Sequence, residues 1–440
     1  MKVDLVSTGS SARRAEVVNS TFDYFSPIPV QNARSDEFDV ELYPVTAISD
    51  TGPLEFLFNG APHLYINLAK STLMLEVKIT KGGAALEAED VVGPSNNILH
   101  TMWASSDLYL NGTRVSDHNG CYPYRAIIED LLRFPADVQE TQLRLQHFIK
   151  DTAGKLTDVK AASDNKGYLS RLAAFKTSAT VQLLGRPHHD LFHQHRSILP
   201  RTPIKLVLTR ATDAFALLAL SVDPMPQFKL QLIAAKLYLR AHVVTGGVIM
   251  THEEELQTQN CKYPIGYVQM KTLTIPAGLS SFSNEIYSGA LPDRIVIMLI
   301  DQRDVTGSYQ RNPFNFQHFG LNHLALNVNG DLVPRSAFQP NFAKSHIARE
   351  YQNLFDTMNS WLTGSTINIS PEEFMGGYAI FPFNLNPDRL MSTIDGKTGN
   401  IRLDLKFTAA PTEPIYVILY AEYSTFLEID QNRNVIQHIP

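Results

Sequence analysis

Leu108-Tyr109-Leu110-Asn111-Gly112-Thr113-Arg114-Val115 and Leu326-Asn327-Val328-Asn329-Gly330-Asp331-Leu332-Val333 are two copies of one pattern. In each copy, alternating apolar residues lead to an Asn-Gly pair, and an apolar residue holds the same place in the returning strand. Asn-Gly is the strongest short hairpin signal, because a type I′ turn requires positive φ at both central residues. The two turns lie 329 − 111 = 218 residues apart in a chain of 440. This spacing predicts two similar domains in tandem, with chance recurrence of a common dipeptide as the alternative.

Alternation of apolar and polar residues predicts β-strands along both halves of the chain. The clearest examples are 73–79 and 401–407. Further strands are predicted at 180–184, 264–274, 293–300, 321–328, 376–383 and 415–424. Many strands, few helices and no βαβ rhythm predict an all-β chain built of antiparallel sandwiches.

One clear helix interrupts the strands. Tyr124, Ile127, Ile128, Leu131 and Leu132 recur at the spacing of a single helical stripe, after a proline suited to the first turn. A second, weaker helical pattern follows it. The stretch 248–258, with three consecutive glutamates, is typical of a short solvated helix.

These patterns divide the chain into three parts. We predict an N-terminal arm at 1–35, a first sandwich at 36–246 with a helical and loop insertion at 119–179, and a second sandwich at 247–440. The arm is either a disordered terminus or a segment that binds a partner. Within the insertion, 151–166 has few large apolar residues, so we expect an exposed loop there.

Composition excludes several classes of protein. The net charge of −6 argues against a protein that coats nucleic acid. Cys121 and Cys261 are the only cysteines, so no disulfide framework is possible, and we expect synthesis in a reducing compartment. No stretch of about 18 apolar residues predicts a membrane span, and the first residues lack the apolar core of a signal peptide.

A histidine-rich run, GRPHHDLFHQH at 185–195, is the strongest candidate for a metal site. It offers His188, His189, Asp190, His193 and His195, and on a strand the last two would share a face. A zinc site needs three or four convergent ligands, and neither cysteine nor an HExxH motif accompanies the run. We therefore expect no metal and no cofactor. No G-x-S-x-G, P-loop or GxGxxG motif is present either, so the sequence does not indicate an enzyme.

Eight stretches carry a family resemblance: STFDYFSPIPVQ (20–31), PLEFLFNGAPHLYINLAKSTLMLEVKI (53–79), NNILHTMWASSDLYLNG (96–112), YPYRAIIEDLL (122–132), LLGRPHHDLFHQHRSILP (183–200), KYPIG (262–266), NPFNFQHFGLNHLALNVNG (312–330) and FMGGYAIFPFNLNPD (374–388). The chain resembles the major capsid proteins of Polinton/Maverick elements and adintoviruses, which are similar to adenovirus hexon. The residues that match the family pattern most closely are Tyr122, Pro123, Tyr124, Arg125, Gly185, Arg186, His188, Asp190, Phe192, Gln194, Asn312, Pro313 and Phe314. In contrast, His189, His193 and His195 depart from it.

The resemblance implies two tandem eight-stranded jelly-roll sandwiches, a double jelly roll, with a few short helices in the loops. It also implies a major capsid protein that forms homotrimers, which join neighbouring capsomers in a pseudo-hexagonal lattice and an icosahedral shell. A minor or penton capsid protein would be a further partner, and packaged DNA would be contacted only indirectly. The protein would be made in the host cytoplasm and reside in the virion. The alternatives are a glycan-binding β-sandwich and a metal-dependent hydrolase that uses the histidine run.

Overall fold

The computed structural model describes residues 33–49, 51–116, 120–220, 228–358, 367–386 and 398–438. Most of the predicted N-terminal arm, residues 1–32, lies outside the described residues. Arg34 and Ser35, which we assigned to the arm, belong instead to the first strand. There Arg34 lies opposite Val244, near the end of the first half of the chain.

Two sheets face each other in the first half. The described strands there are β1 (Arg34–Leu42), β2 (Leu54–Phe58), β3 (Leu64–Lys81), β4 (Ala84–Ala85), β5 (Val92–Pro94), β6 (Trp103–Leu110), β7 (Thr113–Arg114), β8 (Val181–Gly185), β9 (Ile204–Arg210), β10 (Leu217–Ala219) and β11 (Phe228–Val244). One sheet has the order β1-β11-β3, with β4 and β8 both pairing the far edge of β3. The other sheet has the order β2-β9-β6-β7. Their apolar faces form one continuous core.

Two further sheets build the second half. Its described strands are β12 (Cys261–Ile275), β13 (Ser281–Ala290), β14 (Arg294–Asp301), β15 (Leu321–Val328), β16 (Asp331–Phe338), β17 (Ile380–Asn384), β18 (Thr398–Phe407), β19 (Ile415–Ile429) and β20 (Val435–Gln437). One sheet has the order β12-β19-β14-β17, extended by β20 on β19, and the other has the order β13-β18-β15-β16. All ladders are antiparallel.

The two halves share one topology. Strands β1, β11, β3 and β8 take the places of β12, β19, β14 and β17, and strands β2, β9, β6 and β7 take those of β13, β18, β15 and β16. Each half is therefore an eight-stranded antiparallel sandwich whose chain passes repeatedly between two sheets, which is a jelly roll. The predicted fold class, an all-β double jelly roll, is confirmed. Strands β4, β5, β10 and β20 lie outside the shared set of eight.

Both Asn-Gly turns occupy the same place in their sandwich, between β6 and β7 and between β15 and β16. The φ angles are 45° and 80° at Asn111 and Gly112, and 54° and 99° at Asn329 and Gly330. These are the left-handed values that a type I′ turn needs. Each Asn side chain also binds the backbone elsewhere: Asn111 Nδ2 donates to the carbonyl of Arg433 at 2.9 Å, and Asn329 Oδ1 accepts from a backbone N–H of β18 at 2.9 Å.

Short helices fill the connections between strands. The described α-helices are α1 (Ile98–Thr101), α2 (Tyr122–Arg133), α3 (Ala136–Glu140), α4 (Lys166–Phe175), α5 (Asp213–Ala216), α6 (Gly246–Glu255), α7 (Gln302–Val305), α8 (Ala348–Thr357) and α9 (Pro371–Met375). Helix α6 confirms the solvated helix predicted between the sandwiches, and the predicted boundary at 246/247 falls at its first turn. Among the described residues, no helix is long and apolar enough to cross a membrane.

Helix α2 is the element that joins the two cores. Its first residue, Tyr122, belongs to the core of the first sandwich. Its apolar stripe, which includes Tyr124, Ile128 and Leu131, packs with the strands of the second sandwich. All residues from the first turn to Leu132 are buried. The sequence predicted the apolar stripe correctly, but it did not predict that the opposite, charged face is buried as well.

The segment 151–166 is a loop up to the start of α4, as predicted, but only half of its residues are exposed. Leu156 is 2% exposed. The carboxylate of Asp151 binds the Arg171 guanidinium at 2.7 Å, and the backbone N–H of Asp151 donates to the Tyr378 hydroxyl at 2.9 Å. The segment has no strand or helix before α4, but these bonds fix it between the two sandwiches. The scarcity of large apolar residues predicted the loop, but it did not predict the polar groups that hold the buried part of the segment in place.

Alanine at either Asn-Gly turn should destabilise the protein through backbone strain alone. An added Cβ at Gly112 or Gly330 would meet no atom within 4 Å, so crowding makes no contribution. We expect Gly112→Ala and Gly330→Ala each to lower the free energy of unfolding by about 1–2 kcal/mol, the cost of a left-handed conformation for an L-residue. Chemical denaturation measures the change. Gly247→Ala, at an open position in α6 without positive φ, is the control and should cost nothing. Equal losses in all three variants would contradict the role of the turns.

Candidate functional site: a polar network buried between the two sandwiches

One face of α2 carries charge, and this face is buried. Arg125, Glu129 and Arg133 follow one another at i, i+4 and i+8, so they form a single row along the helix, with Asp130 beside it. Arg125 is 0% exposed, and Glu129 and Asp130 are each 1% exposed. Charged side chains are almost never buried to this degree without partners, so the surroundings must supply them.

Glu129 lies at the centre of these contacts. Its Oε1 accepts from Arg125 Nε at 3.0 Å and from the Tyr420 hydroxyl at 3.3 Å. Its Oε2 lies 2.7 Å from His188 Nδ1 and 3.1 Å from His193 Nε2. Because Tyr420 belongs to β19, one carboxylate joins α2, the histidine run and the second sandwich. We call the α2 network the set Arg125, Glu129, Asp130, Arg133, His188, Asp190, His193 and Tyr420.

Asp130 extends the α2 network into the first sandwich. Its Oδ2 accepts from the side-chain amides of Asn97 at 2.7 Å and Gln146 at 2.6 Å. Its Oδ1 lies 3.5 Å from His188 Nε2. Gln146 Oε1 in turn lies 3.2 Å from His100 Nε2. The network therefore reaches α1 and the 3₁₀ turn that follows α3.

The histidine run does not form a strand, so the condition under which His193 and His195 would share a face is not met. Residues Asp190–His193 form one 3₁₀ turn, which directs His193 towards Glu129 and leaves His195 exposed. Arg125 Nη2 donates to Asp190 Oδ1 at 2.6 Å, at the first residue of that turn. The alternation of faces expected of a strand does not occur here, because the ion pair of Arg125 with Asp190 fixes the backbone and no sheet does so.

The pKa values of the two histidines beside Glu129 shift in opposite directions. Burial acts to lower both pKa values. For His188 the carboxylates of Asp130 and Glu129 outweigh burial and raise the pKa to about 9. For His193 burial prevails and lowers the pKa to about 4. Burial also acts to raise the pKa of Glu129, but nearby cations, Arg125 foremost, hold it well below its ordinary value.

The family-like residues at 185–194 lie in the α2 network or beside it, with the exception of Arg186. His188 and Asp190 are members of the network. Gly185 is required by close approach, since a Cβ there would lie 2.5 Å from a methyl group of Leu99. Phe192 is 1% exposed in the first core, and the Gln194 amide bonds the backbone two residues further on. Arg186 is exposed and stands apart from the network.

The family-like residues at 122–125 begin α2. Arg125 is a member of the network. The Tyr122 hydroxyl lies 3.0 Å from His100 Nδ1, and Pro123 sits in the first helical turn, where its missing N–H costs nothing. Both side chains therefore fix the start of the helix that carries the charged face.

The third family-like group lies on the other side of α2, outside the network. The ring of Phe314 meets the ring of Tyr124 at a centroid distance of 5.6 Å. Asn312 Nδ2 donates to Asp151 Oδ2 at 2.9 Å. Pro313, between Asn312 and Phe314 in the sequence, is buried as well. All three family-like groups thus contact α2 or the segment that follows it.

Sequence reasoning missed Glu129, Asp130 and Arg133. The available signal was the i, i+4 spacing of opposite charges on α2, which is usually read as a solvated face. Burial of that face follows from tertiary packing, because a second sandwich covers it.

The α2 network is too closed for an organic substrate. The cavity beside Glu129, bounded also by Arg133, Tyr420 and Glu422, measures about 10 Å³, which is room for one water molecule. A wider cavity of about 550 Å³ lies apart from it, where Tyr65 and His252 face Cys261. The network can fix the two sandwiches relative to each other and can hold a small cation.

The architecture places the chain among double jelly-roll proteins, and solved structures of viral proteins share it. A chain of the Sputnik virophage, from a 3.5 Å cryo-EM structure, superposes with a TM-score of 0.62 at 13% identity, covering 97% of this chain and 93% of that one. The PBCV-1 virus capsid gives 0.57 at 11% identity, covering 94% and 100%. The mavirus major capsid protein gives 0.53 at 12% identity, covering 97% and 96%. At these identities the likeness establishes the fold.

Sequence comparison adds one relative. An uncharacterised protein of Caenorhabditis elegans is 23% identical over 424 residues, which cover 92% of this chain and 97% of that protein. The likeness therefore extends over nearly the whole of both chains. No protein-family profile matches the chain.

Removing the cation at the centre of the network should be strongly destabilising. Arg125→Met would leave Glu129 and Asp190 buried without the guanidinium that contacts both, so we expect a loss of about 3–5 kcal/mol in the free energy of unfolding. Arg402→Met is the matched control, because Arg402 pairs with Asp404 at the surface with its side chain 53% exposed. That change should cost at most about 1 kcal/mol. Chemical denaturation of both variants tests this, and equal small losses would contradict a structural role for the network.

Proposed function

We propose that the chain is a major capsid protein whose subunits assemble as homotrimers. The observation that carries the proposal is the presence of two jelly rolls of identical strand order in one chain, fixed side by side by the α2 network. Such a subunit contributes two similar lobes. Three subunits around a threefold axis then give a capsomer with six lobes, which fits a hexagonal lattice.

Capsomers of this kind would join neighbouring capsomers through heterologous contacts that close into an icosahedral shell. The fold likeness to viral capsid proteins over 94–97% of the chain supports this reading. The sequence motifs at 122–125, 185–194 and 312–314 favour the Polinton/Maverick and adintovirus group within such proteins, in the lineage of adenovirus hexon.

The proposed role is structural, not enzymatic. Most of the polar groups that the fold gathers around α2 bind one another, and the cavity beside Glu129 is the size of one water molecule. We propose the virion as the location after synthesis in the host cytoplasm. A minor or penton capsid protein would be a further partner, and packaged DNA would be contacted only indirectly.

The proposal predicts a stable homotrimer in solution. Light scattering coupled to size-exclusion chromatography should give about three times the chain mass of 49.2 kDa, because obligate assemblies bury extensive interfaces. Negative-stain images of the same fraction should show particles with pseudo-hexagonal outlines. A folded protein that stays monomeric at high concentration would contradict the proposal.

A further inference from the structure

Three potential metal ligands converge inside the α2 network. Glu129 Oε2, His188 Nδ1 and His193 Nε2 all lie within 4.8 Å of one another. The two distances to the carboxylate oxygen are 2.7 Å and 3.1 Å. A tetrahedral zinc ion holds nitrogen and oxygen ligands at 2.0–2.1 Å, which places ligand atoms about 3.3 Å apart. The two distances from the carboxylate oxygen lie within about 0.6 Å of that value, and the two imidazole nitrogens are at most 4.8 Å apart, so movements of the two rings would let the three side chains surround an ion.

From this geometry we propose that Glu129, His188 and His193 bind one divalent transition-metal ion of the zinc class. Two imidazoles and one carboxylate form a donor set that suits such ions, and three protein ligands leave a fourth position for water. The ion would tie α2 to a segment about 60 residues further along the chain. This inference is independent of the proposed capsid function.

Neighbouring side chains contact the proposed ligands and orient them, as the residues behind the ligands of a metal site do. Glu129 Oε1 is occupied by Arg125 and Tyr420, which leaves Oε2 directed at the two histidines. His188 turns its other ring nitrogen, Nε2, towards Asp130 Oδ1 at 3.5 Å. That oxygen is buried and has no hydrogen-bond partner of its own. A carboxylate behind a ligating histidine fixes the ring and raises its basicity.

The charge in the region also favours an added cation. The carboxylates linked by these contacts are Glu129, Asp130, Asp190 and Glu422, and the guanidinium groups linked to them are Arg125, Arg133 and Arg294. With neutral histidines the sum is 3 − 4 = −1. An uncompensated buried charge is costly, so the site needs one more positive charge. The rival to a metal ion is a proton on one of the imidazoles.

An ion could reach the site from the side of His193. The side chain of His193 is 20% exposed, whereas those of Glu129 and His188 are 1% and 4% exposed. His193 is therefore both a proposed ligand and the accessible side of the site. It is also the position where substitution perturbs the core least.

The test uses the full chain without a histidine tag, purified with chelator and then dialysed against Zn²⁺. Elemental analysis should find one zinc per chain, and zinc should raise the melting temperature. His193→Gln should lower zinc affinity at least tenfold and abolish the thermal shift. His195→Gln removes an exposed histidine two residues away and should change neither. Equal melting temperatures of the chelator-treated proteins would show that His193→Gln still folds.

Co²⁺ substitution provides a second readout, because tetrahedral cobalt absorbs visible light far more strongly than octahedral cobalt does. We expect the intense band with the parent protein and with His195→Gln, and its loss with His193→Gln. A parent protein that takes up no zinc at several equivalents would overturn the proposal in favour of the proton. Zinc binding that survives His193→Gln, or that is lost with His195→Gln, would overturn the assigned ligands.

Discussion

The junction between the two sandwiches is built around one buried carboxylate, Glu129, which pairs with Arg125 on the same helix and contacts Tyr420 of the second sandwich. The side chains of Glu129 and Arg125 are each at most 1% exposed, and removing such charges from water costs several kcal/mol per ion. The cost is offset because every oxygen of Glu129 has partners, from α2 itself, from the histidine run and from Tyr420 on β19. These elements must therefore take their positions together, because a missing partner would leave a charge uncompensated in an apolar environment.

Further contacts between the sandwiches come from equivalent connections. The chain between β7 and β8 and the chain between β16 and β17 join the same two strands of their respective jelly rolls. These connections meet each other: Lys150 Nζ lies 2.7 Å from Glu373 Oε2, and the Tyr378 hydroxyl donates to the Asp151 carbonyl at 3.1 Å. The strands thus form the two sandwiches, and contacts between these loops help to determine how the sandwiches are oriented relative to each other.

The sequence predicted what local chemistry determines. The Asn-Gly turns and the alternating strands β3 and β18 depend on neighbours in sequence, and both are visible in the residue pattern. Strand β13 was missed because Ser281–Ala290 is mostly polar and exposed, so it carries no period-two signal. The burial of Glu129 and Asp130 was also missed. A charged helix face appears the same in sequence whether water or a second sandwich covers it.

The junction uses charge in addition to the apolar contacts of α2, and the charge has a mechanical consequence. Interfaces between domains of one chain are mobile by default unless they are large and apolar. An apolar interface loses stabilisation in proportion to the area uncovered, so it permits small openings at small cost. The hydrogen bonds that join Glu129 and Arg133 to Tyr420 behave differently, because slight separation of the sandwiches breaks them before water can solvate the buried charges. The α2 network should therefore resist small changes in the angle between the sandwiches more strongly than an apolar contact of similar extent. In the capsid role proposed above, a subunit that contributes two lobes to one lattice would need this stiffness, because an error in that angle would be repeated at every neighbouring contact.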